Sequence, residues 1–290
     1  MTLGIDVFGL SDIGHGRDLN EDNFLCFQLS KEASSQRTFS CLLAVADGIG
    51  GHAGGVVASS LAVLTLKEEV AAAFHGGTFR DGQEILEEAF QRANRQIFEK
   101  ASHEEELIGM GTTLVAALAD ADQAVVSNVG DSRAYLIRDG VLHQITQDHS
   151  WAAEQRRMNI LSKREIEHSP YKSMLTRSLG FEPDVVVDSF IVELKEGDFL
   201  LFCTDGLYGP VAEKKIVKIF KKLKTPKDIC PELINLAIRS GTQDNITAVV
   251  ARLQKLEKGQ EVSLTDTVWL ESYASNEDGG KSIERDDKKR

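Results

Sequence analysis

Apolar positions near the N-terminus either alternate with polar ones or run on unbroken, as in "IDVFGLSDI", "DNFLCFQLS" and "FSCLLAVA", each closed by Gly, Asp or Ser. Both patterns predict short β-strands. The spacing then lengthens and predicts two helices, "GGVVASSLAVLTLKEEVAAAFH" and "QEILEEAFQRANRQIFEKA". In the second, Ile85, Leu86, Ala89, Phe90, Ala93, Ile97 and Phe98 recur at helical intervals. The loop "GGTFRDG" between them suits antiparallel neighbours. Strands resume at "TTLVAALAD", "QAVVSNVG", "SRAYLIRDG" and "VLHQIT", separated by turn residues that predict hairpins. A charged, mostly helical stretch covers Trp151 to Ser178, followed by strands at "DVVVDSFIVEL" and "DFLLFCT". Helices at "EKKIVKIFKKL" and "ELINLAIRS" and a last strand, "NITAVVARL", complete the pattern. Runs of strands between pairs of helices do not spell β-α-β units, and an antiparallel sandwich with helix pairs outside fits better. Residues 1–254 are read as one domain. Beyond about Lys255 the periodicity fails, and "SNEDGGKSIERDDKKR" predicts a disordered, charged tail over 255–290.

Charge narrows the function. A net charge of -12 on 290 residues argues against nucleic-acid and anionic-membrane partners, which like-charge repulsion would hold off. The four cysteines, Cys26, Cys41, Cys203 and Cys230, form no C-x-x-C pair and read as reduced thiols. "MTLGIDVFGL" lacks a basic n-region and a cleavage site, and no apolar run approaches the roughly 18 residues of a membrane span. The expectation is a cytoplasmic protein.

The candidate chemistry begins at "LLAVADGIGGHAGG", where an apolar strand runs into Asp47 and then into a glycine-rich loop opening a helix. From Gly48 the loop fits a dinucleotide fingerprint, but that reading needs a second parallel strand, and a second helix follows instead. A P-loop would need a Lys that "GIGGHAGG" lacks. The aspartate, however, recurs: "FLLFCTDGLYG" repeats the strand-to-Asp-Gly pattern at Asp205. Further acids stand beside strands at Asp18, Glu21 and Asp22 ("GRDLNED"), Asp131 ("NVGDSR") and Asp244 ("GTQDNIT"). If several converge, each close pair repels by about 4 kcal/mol at 4 Å and an effective dielectric of 20, which cations or protonation relieve. Oxygen ligands without a Cys or His cluster select Mg²⁺ or Mn²⁺ over zinc.

In the order "SDIGHGRDLNEDNF", "LAVADGIGGHAGG", "GMGTTLVA", "NVGDSRAYL", "TQDHS", "LTRSLG", "LFCTDGLYG" and "GTQDNITAVV", these blocks cover about residues 6 to 253. Together they resemble the metal-dependent Ser/Thr protein phosphatases of type 2C, in particular the bacterial branch. The resemblance implies an α+β fold, a four-layer α-β-β-α sandwich of two antiparallel sheets flanked by helix pairs, with two Mn²⁺ or Mg²⁺ ions at one edge. It implies that Asp47 bridges both ions, that Gly48 offers its carbonyl oxygen, that Asp205 and Asp244 complete one ion, that Glu21 holds the second largely through water, and that Asp22 serves the cluster from outside. A bridging water would then attack phosphorus in line, without a covalent enzyme intermediate. Arg17 would hold phosphoryl oxygens in its planar fork; the alternative is a surface arginine paired with Asp18 or Glu21.

His52 lies five residues after Asp47 rather than the two seen in the eukaryotic branch. It is read as the candidate general acid, with a packing loop histidine as the alternative. Asp131 and Asp205 match ligands of a third ion, but Gly209 stands where relatives often carry Asp or Asn, which implies a weak or absent third site. Residues 151–180 match a variable flap, whose Arg156, Arg157, Lys163 and Arg164 form either a solvated helix face or a surface for acidic substrates. The implied partners are phosphorylated proteins and an opposing Ser/Thr kinase, and the implied state is a monomer. The competing function is a catalytically weak phosphoprotein-binding scaffold of the same fold.

Overall fold

The computed structural model describes residues 3–29, 39–50, 53–75, 80–255 and 267–269. Strands β1 (Leu3–Asp12), β2 (Asp22–Gln28) and β3 (Cys41–Ile49) lead into helices α1 (Gly54–His75) and α2 (Gly82–His103). Five strands follow: β4 (Gly111–Thr112), β5 (Leu114–Ala119), β6 (Gln123–Val129), β7 (Arg133–Arg138) and β8 (Val141–Gln144). Short helices α3 (Trp151–Met158) and α4 (Lys163–Glu167) precede β9 (Asp188–Glu193) and β10 (Phe199–Cys203). Helices α5 (Asp205–Tyr208), α6 (Glu213–Lys222) and α7 (Pro226–Arg239) and strands β11 (Ile246–Lys255) and β12 (Thr267–Trp269) complete the described chain.

The strands form two antiparallel sheets, ordered β1-β11-β10-β7-β8 and β12-β2-β3-β5-β6-β9, with β4 paired to β3. Strand β3 explains why its sequence is an unbroken apolar run. Leu42, Ala44 and Ala46 pack with Leu66, Phe90 and Ile97 of α1 and α2, while Cys41, Leu43 and Val45 pack with Phe202 and Val249 of the other sheet. Both faces are therefore dry, and no alternation survives. A third core joins β10 and β11 to α6 and α7 through Leu201, Ile216, Phe220 and Leu233. Three cores separate four layers, as the α+β sandwich reading requires.

Departures from the expected elements have local causes. Helix α7 begins at Pro226, capped by the Thr225 side chain, and runs through Pro231, whereas the pattern placed its start at Glu232. The residues Val185 to Val187, read as strand, lie ahead of β9; side chains of α2 take up backbone groups there, as Gln91 Nε2 donates to the Val185 carbonyl. Within 255–290, read as a tail without structure, Thr267–Trp269 pairs antiparallel with Phe24–Cys26 at the sheet edge. The remainder, 256–266 and 270–290, lies outside the described residues. No helix among the described residues is long and apolar enough to cross a membrane.

Candidate metal centre

The acidic residues reach one place because antiparallel pairing delivers strand ends together. Asp22 opens β2 directly opposite Asp47 near the end of β3. Asp205 follows β10 and begins α5, and Asp244 precedes β11, whose neighbour β1 ends at Asp12. Asp131 sits in the turn between β6 and β7. A cleft of about 800 Å³ opens over these ends, lined by Glu21, Asp47, Gly48, Asp131, Asp205 and Asp244, with Arg17 at its side. Asp22 is 1% exposed and lies beneath, outside the lining.

The backbone around Asp47 is clamped. Its N–H donates to Thr113 Oγ1 at 3.0 Å, and its carbonyl accepts from Thr113 N at 2.9 Å and Thr112 Oγ1 at 2.8 Å. Gly48 N donates to the Glu21 carbonyl at 3.1 Å. A Cβ on Gly48 would stand 2.2 Å from the Gly55 carbonyl oxygen, so only glycine lets the loop close so tightly onto helix α1.

Asn245, 4% exposed, holds the other wall. Its Nδ2 donates to the carbonyls of Ile13 and Leu19, each at 2.9 Å, and its Oδ1 accepts from Glu21 N at 2.9 Å. The loop carrying Arg17 and Glu21 is thus tied to the start of β11. Tyr208 donates to the Asp131 carbonyl at 2.9 Å, and its ring carries the Arg133 guanidinium at 3.6 Å. These positioning residues received no role from the sequence, although Arg133, Tyr208 and Asn245 fall within the blocks "NVGDSRAYL", "LFCTDGLYG" and "GTQDNITAVV".

Arg17 pairs most closely with Asp244, with Glu21 as a more distant ion-pair partner. Its Nε lies 2.8 Å from Asp244 Oδ1 and its Nη2 2.9 Å from Asp244 Oδ2, a two-bond fork, with Glu21 Oε2 at 3.9 Å. Of the flap's basic residues, Arg156, Arg157, Lys163 and Arg164 do not line the cleft, whereas Arg177, near the flap's end, does. Arg157 instead donates to Gln147 Oε1 at 3.2 Å, which fits the solvated-face reading. The flap is pinned to the sandwich by His149. Gly130 N donates to its Nδ1 at 3.0 Å, so the ring proton sits on Nε2, facing Asp188 Oδ2 at 3.1 Å. Burial holds this imidazole below its ordinary pKa, with the Asp188 hydrogen bond opposing. His52 lies outside the described residues.

Electrostatics mark the cleft as a cation seat. Burial, and then Asp22, Asp205, Asp131 and Asp244, push Asp47 well above the ordinary carboxylate range. Asp205 is raised to about 6 by burial and by Asp244, against Arg17 and Arg133. Asp131 is raised to about 7 by burial, Asp205 and Asp148. Asp22 reaches about 8 through burial, although Thr247 and Thr204 donate to its Oδ2 at 2.8 and 2.9 Å. Asp22 Oδ1 and Asp205 Oδ1 are buried without a hydrogen-bond partner. Such oxygens are costly unless a cation or proton reaches them. Neither His nor Cys joins the described lining, so the donor set fits a hard ion. Among the described residues no three His, Cys, Asp or Glu side chains are already gathered into a metal-ligating group.

Comparison with known proteins places the chain. The family described as protein phosphatase 2C matches residues 7–246. The serine/threonine phosphatase stp of Listeria innocua is 37% identical over 253 residues, covering 87% of this chain and 98% of that one. The serine/threonine protein phosphatase PstP of Mycobacterium tuberculosis is 35% identical over 264 residues, 90% of this chain and 47% of that one. Among solved structures, the serine/threonine phosphatase Stp1 of Staphylococcus aureus superposes with a TM-score of 0.77 at 31% identity, covering 88% of this chain and 98% of that one. The catalytic domain of PstP in complex with two manganese ions gives 0.73 at 32% identity, covering 88% and 100%.

Proposed function

The chain belongs to the protein phosphatase 2C family and is a Mn²⁺/Mg²⁺-dependent protein serine/threonine phosphatase, and on that premise we propose which of its residues carry the hydrolysis. Asp47, the Gly48 carbonyl, Asp205, Asp244 and Glu21 would hold two ions, buried Asp22 would support that set from outside the lining, and Asp131 would offer a weaker third position. Bound there, the ions supply an acidified water as nucleophile and balance charge on the phosphoryl oxygens. The three cores support one domain over 1–254 with a flap at about 151–180, to which Thr267–Trp269 adds an edge strand from beyond that boundary.

Arg17 stands at the cleft side with a planar fork, and it holds two phosphoryl oxygens of the substrate as charge grows on them. In this structure the fork rests on Asp244, a residue that would also hold an ion. The clamps on Asp47 and on the Arg17–Glu21 loop keep these groups in register, so little reorganisation is left to the reacting state. The observation that carries this reading is the delivery of carboxylates from five separate chain segments into one cleft beside an arginine.

Purified protein is expected to release phosphate from a phosphothreonine peptide with Mn²⁺ and to lose that activity with a chelator. Full turnover in excess chelator would overturn the assignment. An opposing Ser/Thr kinase supplies the substrates, and the protein acts as a monomer. His52 is the proposed proton donor to the leaving serine or threonine oxygen. Its replacement by alanine is expected to slow phosphoserine peptide hydrolysis about a hundredfold and to spare an aryl phosphate, whose leaving oxygen needs no proton. Equal losses on both substrates would remove His52 from that role.

A further inference from the structure

We propose that the rim formed by Phe181, Glu182, Asp184 and Val186 selects substrates carrying a basic residue beside the phosphorylated one, an inference that rests on the phosphatase reading above. All four line the same cleft as the carboxylates, and that cleft, at about 800 Å³, is far larger than a phosphoryl group needs. Phe181 is 51% exposed and Val186 67%, which places apolar surface beside two exposed carboxylates. Such a combination matches the chemistry of Arg and Lys. Their aliphatic stems lie on apolar surface while the charged head reaches an acid, and a cation over an aromatic face gains further.

Neighbouring charge leaves the two acids free to act. Arg177 also lines the cleft, but it is committed to Asp188 Oδ1 at 2.7 Å and to the Val186 carbonyl at 3.0 Å. Among the described residues no cationic side chain is within ion-pair distance of Glu182 or Asp184. Arg156, Arg157, Lys163 and Arg164, the flap residues that offered a surface for acidic substrates, do not line the cleft.

The rim is also held in shape from below. Asn94, wholly buried on α2, accepts from Gly180 N at 2.8 Å and donates to the carbonyls of Glu182 at 2.9 Å and Pro183 at 3.1 Å. The Phe181 ring occupies space that any side chain at position 111 would fill, since a Cβ there would meet it at 2.4 Å. A rim backbone held in this way costs little ordering when a peptide binds.

The test uses three phosphothreonine peptides of one length, with Arg, Ala or Glu flanking the phosphorylated residue on both sides. Wild type is expected to favour the Arg peptide over the Glu peptide by about tenfold in kcat/KM, chiefly through KM, the scale of two exposed charges acting together. Glu182→Gln with Asp184→Asn should reduce the preference to about twofold or less, and Glu182→Lys with Asp184→Lys should reverse it. Raising ionic strength should narrow the wild-type preference, which a purely structural role would not do. No preference in wild type, or an unchanged one in the charge-reversed protein, would overturn the inference while leaving the phosphatase reading intact. Failure to hydrolyse any of the three peptides would instead overturn that reading, and this inference with it.

Discussion

Asp47→Asn is expected to lower turnover of a phosphothreonine peptide by about a thousandfold, while the chain stays folded. The substitution keeps the side chain's shape and its backbone clamps to Thr113 and Thr112, but it removes a charge that would help to hold the ions. Losing several kcal/mol of charge stabilisation in the reacting state corresponds to about a factor of ten for every 1.4 kcal/mol. The same change should make the chelated protein more stable, because a carboxylate that burial and four neighbouring acids hold well above its ordinary range is replaced by a neutral amide. Steady-state kinetics and thermal unfolding in chelator check the two halves. Activity within tenfold of wild type would remove Asp47 from the centre of the site. A thousandfold loss with lower stability would mean that the side chain holds the fold and not the ions.

Mn²⁺ is expected to raise the melting temperature, and to raise it more at pH 8 than at pH 5. Asp205, Asp131 and Asp22 have folded values of about 6, 7 and 8 against an ordinary 3.8. A carboxyl whose folded pKa is raised contributes stability that is fully present below the unfolded value and lost as pH rises through the folded value. The chelated protein should therefore weaken between about pH 4 and 8, as protons leave oxygens that stay crowded together. Divalent cations replace those protons. At free Mn²⁺ a hundredfold above Kd the gain is about 2.7 kcal/mol, or roughly 5–10 °C for a domain of this size. A melting temperature indifferent to Mn²⁺ at pH 8 would count against a cation seat among these residues.

The comparison between sequence and structure separates along physical lines. Helix α1 was legible to the residue, because its apolar positions and the glycines before it are local signals. The strands of the central layers were legible for the same reason, since burial on both faces leaves an uninterrupted apolar run. Val185 to Val187 misled, because β-branched residues suit a strand while their backbone is claimed by side chains 94 positions away in sequence, on α2. Strand β12 escaped because a three-residue strand amid charged and small residues has no period of its own.

At the site, the kind of chemistry was written in residue types: acids next to glycines at strand ends, with no thiol or imidazole cluster to suggest zinc. Which acids meet was decided by register. Asp22 faces Asp47 because β2 and β3 pair antiparallel at that offset, and a shift of one residue would turn either carboxylate to the other face of the sheet. Arg17 was read as a phosphate-holding fork, with pairing to Asp18 or Glu21 as the alternative; which acid it rests on, Asp244, 227 positions away, was not legible locally. The chain's own order therefore determined the elements and the oxygen-rich donor set, since periodicity and side-chain chemistry are short-range properties. Partner choice, the depth at which each acid is buried and the facing of the rim belong to the folded molecule alone, because they arise only when distant strand ends are brought together by pairing.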